Sequence, residues 1–188
     1  MKIIGLAGTN GSGKDTIGHL LADKYGYLFA DATAMLGAEL DKRGLPHERA
    51  NKSALSAEWR REHGMAVIVD KALEAFESGE YKGLIVGSLR HPAEAERVHE
   101  LGGSVIWVDA EPKIRYERVT NNDRGRLEDK KSFKKFMEEE ASEMSQSGDL
   151  ATLNMGAVKE QADLFIQNNG NDIELFKADA EKALANLL

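Results

Sequence analysis

Short apolar runs alternate along this chain with longer segments whose apolar residues recur every three or four positions. The runs Lys2–Ala7, Tyr27–Ala30, Gly83–Val86, Ser104–Val108 and Ala162–Gln167 have strand length, and they are too uniformly apolar for a sheet with one wet face. Between them, Met65, Ile68, Val69, Ala72, Leu73 and Phe76 form a helical stripe. Phe133, Phe136, Met137, Ala141 and Met144 form another, backed by lysine and glutamate, and Ile173, Phe176, Ala180, Leu184 and Leu187 mark a C-terminal helix. His91-Pro92 predicts a helix start with proline in the first turn, and Leu101-Gly102-Gly103 predicts its end. This alternation predicts an α/β fold, a five-stranded parallel sheet with helices on both faces. Asp41–Gly64 is polar and weakly periodic, and Asn121–Lys131 is highly charged; both read as excursions from the sheet.

In such sheets ligands bind at the carboxyl ends of the strands, so the residues just after each strand carry the candidate chemistry. After the first run comes Gly8-Thr9-Asn10-Gly11-Ser12-Gly13-Lys14-Asp15-Thr16, followed by the helical positions Ile17, Leu20 and Leu21. Strand, glycine loop, lysine and helix in that order make a phosphate-binding P-loop. Backbone N–H groups turn inward around the anion, and the helix N-terminus adds partial positive charge. Asn10, Gly11, Ser12, Gly13, Lys14, Asp15 and Thr16 are therefore the candidate ATP-binding residues, with Lys14 reaching the outer phosphates. Asp15 stands where Ser or Thr normally meets Mg²⁺, which makes it the candidate metal residue.

Asp31 ends the second run, as a cap for the next helix or as a carboxylate that orients or deprotonates an acceptor. The third run ends in Gly87-Ser88-Leu89-Arg90. P-loop enzymes usually place a magnesium-organising aspartate here, and Gly87 has none to offer. Arg90 suits a bidentate phosphate clamp. Asp109 and Glu111-Pro112 after the fourth run read as the cap and first turn of a helix carrying Arg115 and Arg118, with Arg124 and Arg126 beyond it. Arginines on a polar segment suit a lid over transferring phosphates, though interspersed carboxylates also fit a solvated helix. In the excursion after the second run, Arg43, Arg49, Arg60 and Arg61 are candidates for gripping an acceptor's anionic group.

Composition narrows the partners. The 188 residues carry a net charge of −7 and no cysteine. The charge disfavours nucleic acid as a partner, and the lack of cysteine excludes disulfides and thiolate metal sites. The histidines show no metal-ligand spacing. No apolar run reaches membrane-spanning length, and the first strand begins at Lys2, so the expectation is a single domain over 1–188 in the cytoplasm, with no membrane partner. Monomer and homodimer both remain open.

Several segments together resemble the P-loop nucleoside and nucleotide kinases, above all the deoxynucleoside monophosphate kinases and related nucleotide kinase-like proteins of archaea. They are Ser12-Gly13-Lys14-Asp15-Thr16, Phe29-Ala30-Asp31, Leu89-Arg90-His91-Pro92-Ala93-Glu94-Ala95-Glu96 and Leu101-Gly102-Gly103-Ser104-Val105-Ile106. The resemblance implies an acceptor-binding insertion over about 32–64 and a lid over about 111–131. It implies Lys14 on the donor phosphates, Arg90 on the acceptor phosphate, and Arg118, Arg124 or Arg126 on the transferring group. The expected reaction is ATP- and Mg²⁺-dependent phosphoryl transfer to a small-molecule nucleotide, a nucleoside monophosphate of the deoxy series. Asp31, Arg60, Arg61, Arg90 and Arg126 are the expected acceptor contacts; Lys14, Arg90, Arg118, Arg124 and Asp31 are the expected catalytic set. Dephospho-coenzyme A kinase-like activity shares this plan. A nucleotide-binding regulator with little turnover is the reading that Gly87 favours.

Overall fold

A computed structural model of the chain describes residues 1–121 and 131–188. Its strands are β1 (Lys2–Gly8), β2 (Leu28–Asp31), β3 (Gly83–Leu89), β4 (Ser104–Asp109) and β5 (Leu164–Gln167). They form one five-stranded sheet in the order β2-β3-β1-β4-β5, every pairing parallel. All five apolar runs of the sequence lie on these strands, shifted by up to three residues at their ends. The helices are α1 (Lys14–Tyr25), α2 (Ala32–Lys42), α3 (Arg49–His63), α4 (Val67–Glu77), α5 (Pro92–Glu100), α6 (Pro112–Asn121), α7 (Phe133–Met144), α8 (Met155–Glu160) and α9 (Ile173–Leu184). No described helix is long and apolar enough to cross a membrane.

Successive side chains of β1 point to opposite faces of the sheet, and each face has its own core. Ile4 and Leu6 pack with Ile17 and Leu21 of α1 and with Phe176, Ala180 and Leu184 of α9. Ile3 and Ala7 face the other way, toward Trp59, Ile68, Val98 and Val158. Trp59 is thus a core residue, with the Lys71 ammonium 4.8 Å from its ring centroid. The neighbours of β1 are β3 on one side and β4 on the other, so the chain winds in opposite directions from it. A crevice opens where strand order reverses in this way, outside the C-terminal end of β1.

Two helices differ from the sequence expectation. The polar excursion contains α3, whose Leu55, Ala57 and Trp59 are buried. Its moment is diluted because Ser56 and Arg60 are buried as well. The stripe of α7 is the opposite case, because Phe136 is the only buried residue on that helix. Phe133 is 37% exposed, and the glutamates of α7 pair with Arg49, Arg90, Arg115 and Lys131. The start of α5 is as expected. His91 is its N-cap, Pro92 follows, and a capping box links the His91 side chain and Glu94 to each other's backbone.

Candidate active site

The glycine loop joins β1 to α1 at the crevice. Gly13 is the N-cap of α1 with φ of 98°, and a Cβ there would lie 2.5 Å from the Asn168 side-chain nitrogen. Only glycine satisfies both demands. The loop carbonyls are engaged from outside: Asn168 Nδ2 donates to Ser12 O at 2.8 Å, and Arg118 Nη1 donates to Gly11 O at 3.4 Å. Arg115, itself 2% exposed, donates to Asn10 O at 3.4 Å and to Ala110 O at 2.7 Å. Carbonyl and N–H point oppositely in each peptide plane, so this bracing favours amides turned toward the concavity. Thr9 Oγ1 donates to Asp109 Oδ1 at 2.7 Å, and the same oxygen accepts from Ala110 N at 2.8 Å. Asp109 therefore fastens the loop to the end of β4, in keeping with a structural role.

Beside the loop lies a cavity of about 350 Å³ lined by Gly13, Lys14, Asp15, Thr16, Arg118 and Phe176 among others. That size is within the usual range for ligand sites, roughly 300–1,000 Å³. Lys14 is 7% exposed, and its ammonium lies 3.5 Å from Asp15 Oδ1. Arg118 closes the far side, donating to Gly170 O and, at 3.4 Å, to Asn168 Oδ1. Burial lowers the Arg118 pKa from its ordinary value. Asn168 follows β5 directly, so the rule of strand ends also points to it; it was missed because an asparagine there carries no motif.

On the other side of Asn10 is a second, smaller cavity of about 90 Å³. It is lined by Ala32, Thr33 and Leu36 of α2, by Arg49, Ser53 and Arg60 of α3, by Ser88 of β3 and Arg90 just after it, and by Glu143 of α7. Asn10 lines both cavities. Arg90 Nη1 donates to Glu143 Oε2 at 2.6 Å, and Arg49 Nε donates to Glu143 Oε1 at 2.5 Å. Burial would raise the Glu143 pKa, but the charge of Arg90 and the hydrogen bond and charge of Arg49 outweigh it and hold the carboxyl below its ordinary value.

Arg60 and Arg61, adjacent in sequence, diverge. Arg60 lines the cavity floor with its guanidinium committed, to Glu94 Oε1 at 2.7 Å, Ser56 Oγ at 3.2 Å and Ala151 O at 3.1 Å. Arg61 pairs with Asp149 at 2.6 Å on the surface and does not line the cavity. Arg124 and Arg126 lie outside the described residues. Asp31 caps α2, with Oδ2 accepting from Ala34 N at 3.2 Å, while Oδ1 is buried without a hydrogen-bond partner. The cap uses one oxygen, and Asp31 lines neither of the two cavities.

Ser88 was missed by the sequence reading. The β1–β3 ladder runs Leu6 opposite Gly87 and then Ala7 opposite Leu89, so Ser88 is a bulge. Its φ of 65° is the one positive value outside glycine among the described residues. Serine in that region carries strain, of the kind that collects at functional sites. The bulge turns Ser88 toward the smaller cavity.

Mg²⁺ is the metal such folds imply. Among the described residues no three acidic or histidine side chains cluster as a metal cage. Mg²⁺ is usually held by one or two carboxylates together with substrate phosphates and water. Asp15, which lines the larger cavity, is a carboxylate of the right kind.

A protein-family model described as an AAA domain matches residues 4–146. A UPF0200 protein of Methanococcus maripaludis (strain C6) is 28% identical over 192 residues, covering 100% of this chain and 98% of the relative. A shikimate kinase of Persephonella marina is 30% identical over 143 residues, 73% of this chain and 80% of the relative. Among solved structures, a shikimate kinase from Bacteroides thetaiotaomicron superposes with a TM-score of 0.63 at 16% identity, covering 98% of each chain. The parallel sheet, the braced glycine loop and these matches agree, and the chain belongs to the AAA domain family with the P-loop fold of shikimate and nucleotide kinases, a fold that implies binding of a nucleotide such as ATP.

Proposed function

We propose that this protein transfers the γ-phosphoryl group of ATP to a nucleoside monophosphate of the deoxy series. The observation that carries this reading is the pair of cavities that meet at Asn10, one lined by Lys14 and Arg118, the other by Arg90 and Arg49. A phosphoryl group passing in line between two bound substrates needs that arrangement, and positioning and charge neutralisation supply most of the catalysis. Lys14 and the loop amides hold the outer phosphates, and Arg118 covers the donor. Arg90 grips the acceptor's phosphate, and Asp31 Oδ1 accepts a hydrogen bond from the attacking group. Asp15 would hold Mg²⁺ beside the bound phosphates, where the ion would supply neutralisation of developing charge.

A second reading draws on the 30% identical shikimate kinase and on the small size of the Arg90 cavity. Here the acceptor is a compact alcohol bearing a carboxylate, and Arg90 and Arg49 grip that carboxylate. One assay separates the two: ATP and Mg²⁺ with a panel of ribo- and deoxynucleoside monophosphates, dephospho-coenzyme A and shikimate, products resolved by chromatography. A new diphosphate formed by the wild type and lost in Lys14→Ala supports the first reading. Phosphorylated shikimate replaces it with the second. Lys14-dependent ATP binding with no product on any acceptor rejects both, and leaves a nucleotide-binding regulator.

A further inference from the structure

The Arg90 cavity is too small as it stands. About 90 Å³ is well below the roughly 300 Å³ at which ligand sites begin, whereas the donor side already has about 350 Å³. What narrows the acceptor side is a carboxylate. Glu143 is 12% exposed, and its two oxygens take Arg90 and Arg49, the arginines placed to receive an acceptor anion.

The other carboxylate in this cavity is built differently. Glu94 is 1% exposed and accepts from Arg90 N at 2.8 Å, His91 N at 3.1 Å and Arg60 at 2.7 Å. It belongs to the capping box of α5 and is part of the frame. Glu143 bonds only side chains in the contacts described, and it comes from α7, which buries a single residue, Phe136. The rest of the α7 seat is largely ionic, Glu140 to Arg115 and Glu139 to Lys131 and Arg49, beside the rings of Phe133 and Phe136 on Tyr116 and Met144 against the core. A helix held mainly by ion pairs is displaced by a better anion far more readily than one held by core packing.

We propose that Glu143 is an internal stand-in for the acceptor's anionic group. Binding of a phosphomonoester or carboxylate to Arg90 and Arg49 displaces it, and the shift of α7 enlarges the cavity. Glu143 thereby sets which acceptors are admitted. A neutral alcohol lacks the charge to compete, and an oxyanion must bind the arginines more strongly than a tethered carboxylate does. The inference rests on the acceptor-site reading of the Arg90 cavity.

The test needs no knowledge of the acceptor. Orthophosphate and acetate are titrated calorimetrically into the full chain saturated with ADP, so that the glycine loop is filled, at constant ionic strength. In Glu143→Gln, at least one of the anions is expected to bind about tenfold or more tightly than in the wild type, the scale of one charge-assisted hydrogen bond released from competition. The gain should vanish in Glu143→Gln combined with Arg90→Gln, and Glu138→Gln, exposed on α7 beside Lys134, should leave affinity unchanged. Glu143→Asp, which keeps the charge and shortens the reach, should show a smaller gain, and serves if the glutamine variant does not fold. Unchanged or weaker binding of both anions in the folded Glu143 variants overturns the proposal. Tighter phosphate binding with no acceptor turned over would leave Glu143 in this role and sink the kinase reading. Turnover with anion affinity unaffected by Glu143 would do the reverse.

Discussion

The Phe29 ring is wedged between two glycines. A Cβ on Gly87 would lie 2.5 Å from Phe29 Cε2, and one on Gly18 would lie 2.5 Å from the same atom. Gly87→Ala is therefore expected to cost about 1–3 kcal/mol by overpacking, read from chemical denaturation. Combining it with Phe29→Ala should recover part of that loss, a coupling that a double-mutant cycle measures. The sequence shows Gly87 only as a carboxylate gone from its usual place; the reason lies at positions 18 and 29, which come beside it only after folding. The arginines carry the same lesson. Arg60 and Arg61 are indistinguishable as letters, yet Arg60 is 2% exposed against Glu94 and Arg61 is on the surface. Replacing Arg60 with Met leaves Glu94 buried without its charge partner, with an expected loss of about 3–5 kcal/mol in folding stability. A thermal or urea melt reads that loss directly; a melt near wild type would return Arg60 to the list of simple acceptor contacts. Lys14, Asp15 and Arg90 were legible because a loop motif or a strand end marks them. Ser88 and Glu143 were not, because a bulge and a contact across 53 residues leave no local trace.

At the scale of elements, helices with apolar faces were readable, and those that sit on charge were not. The α9 stripe buries Phe176, Ala180 and Leu184 as its periodicity implies. In α7 the same periodicity accompanies one buried residue, and three glutamates settle the helix instead. This gives α7 a pH dependence of known sign. The folded pKa of Glu143 lies below the ordinary 4.5, so its contribution is complete above that value and disappears as pH falls through the lower folded pKa. Hydrogen exchange at graded pH should show α7 losing protection below about pH 4.5, ahead of β1 and β3, whose seat is apolar. Simultaneous loss across α7 and the sheet would mean that α7 is held by more than its ion pairs.

The molecule as a whole is an acidic chain, at −7, that places Lys14, Arg118, Arg49 and Arg90 around two cavities at the C-terminal ends of the strands, near the point where strand order reverses. That layout follows from the order of runs and turns, which is why the fold was legible almost entire. The acceptor was not legible, because the smaller cavity is lined by side chains drawn from α2, α3, α7 and the end of β3 together. The central claim is that phosphate passes from a donor on Lys14 to an acceptor on Arg90. It is tested most directly by following the γ-phosphate of labelled ATP in the presence of Mg²⁺ and the best acceptor of the panel, in the wild type and in Arg90→Gln. Label is expected on the acceptor, with the acceptor KM raised about 10- to 100-fold in Arg90→Gln and the ATP KM nearly unchanged, the loss of a charge-assisted contact on one substrate alone. Label released only as inorganic phosphate, or an acceptor KM indifferent to Arg90, would contradict it.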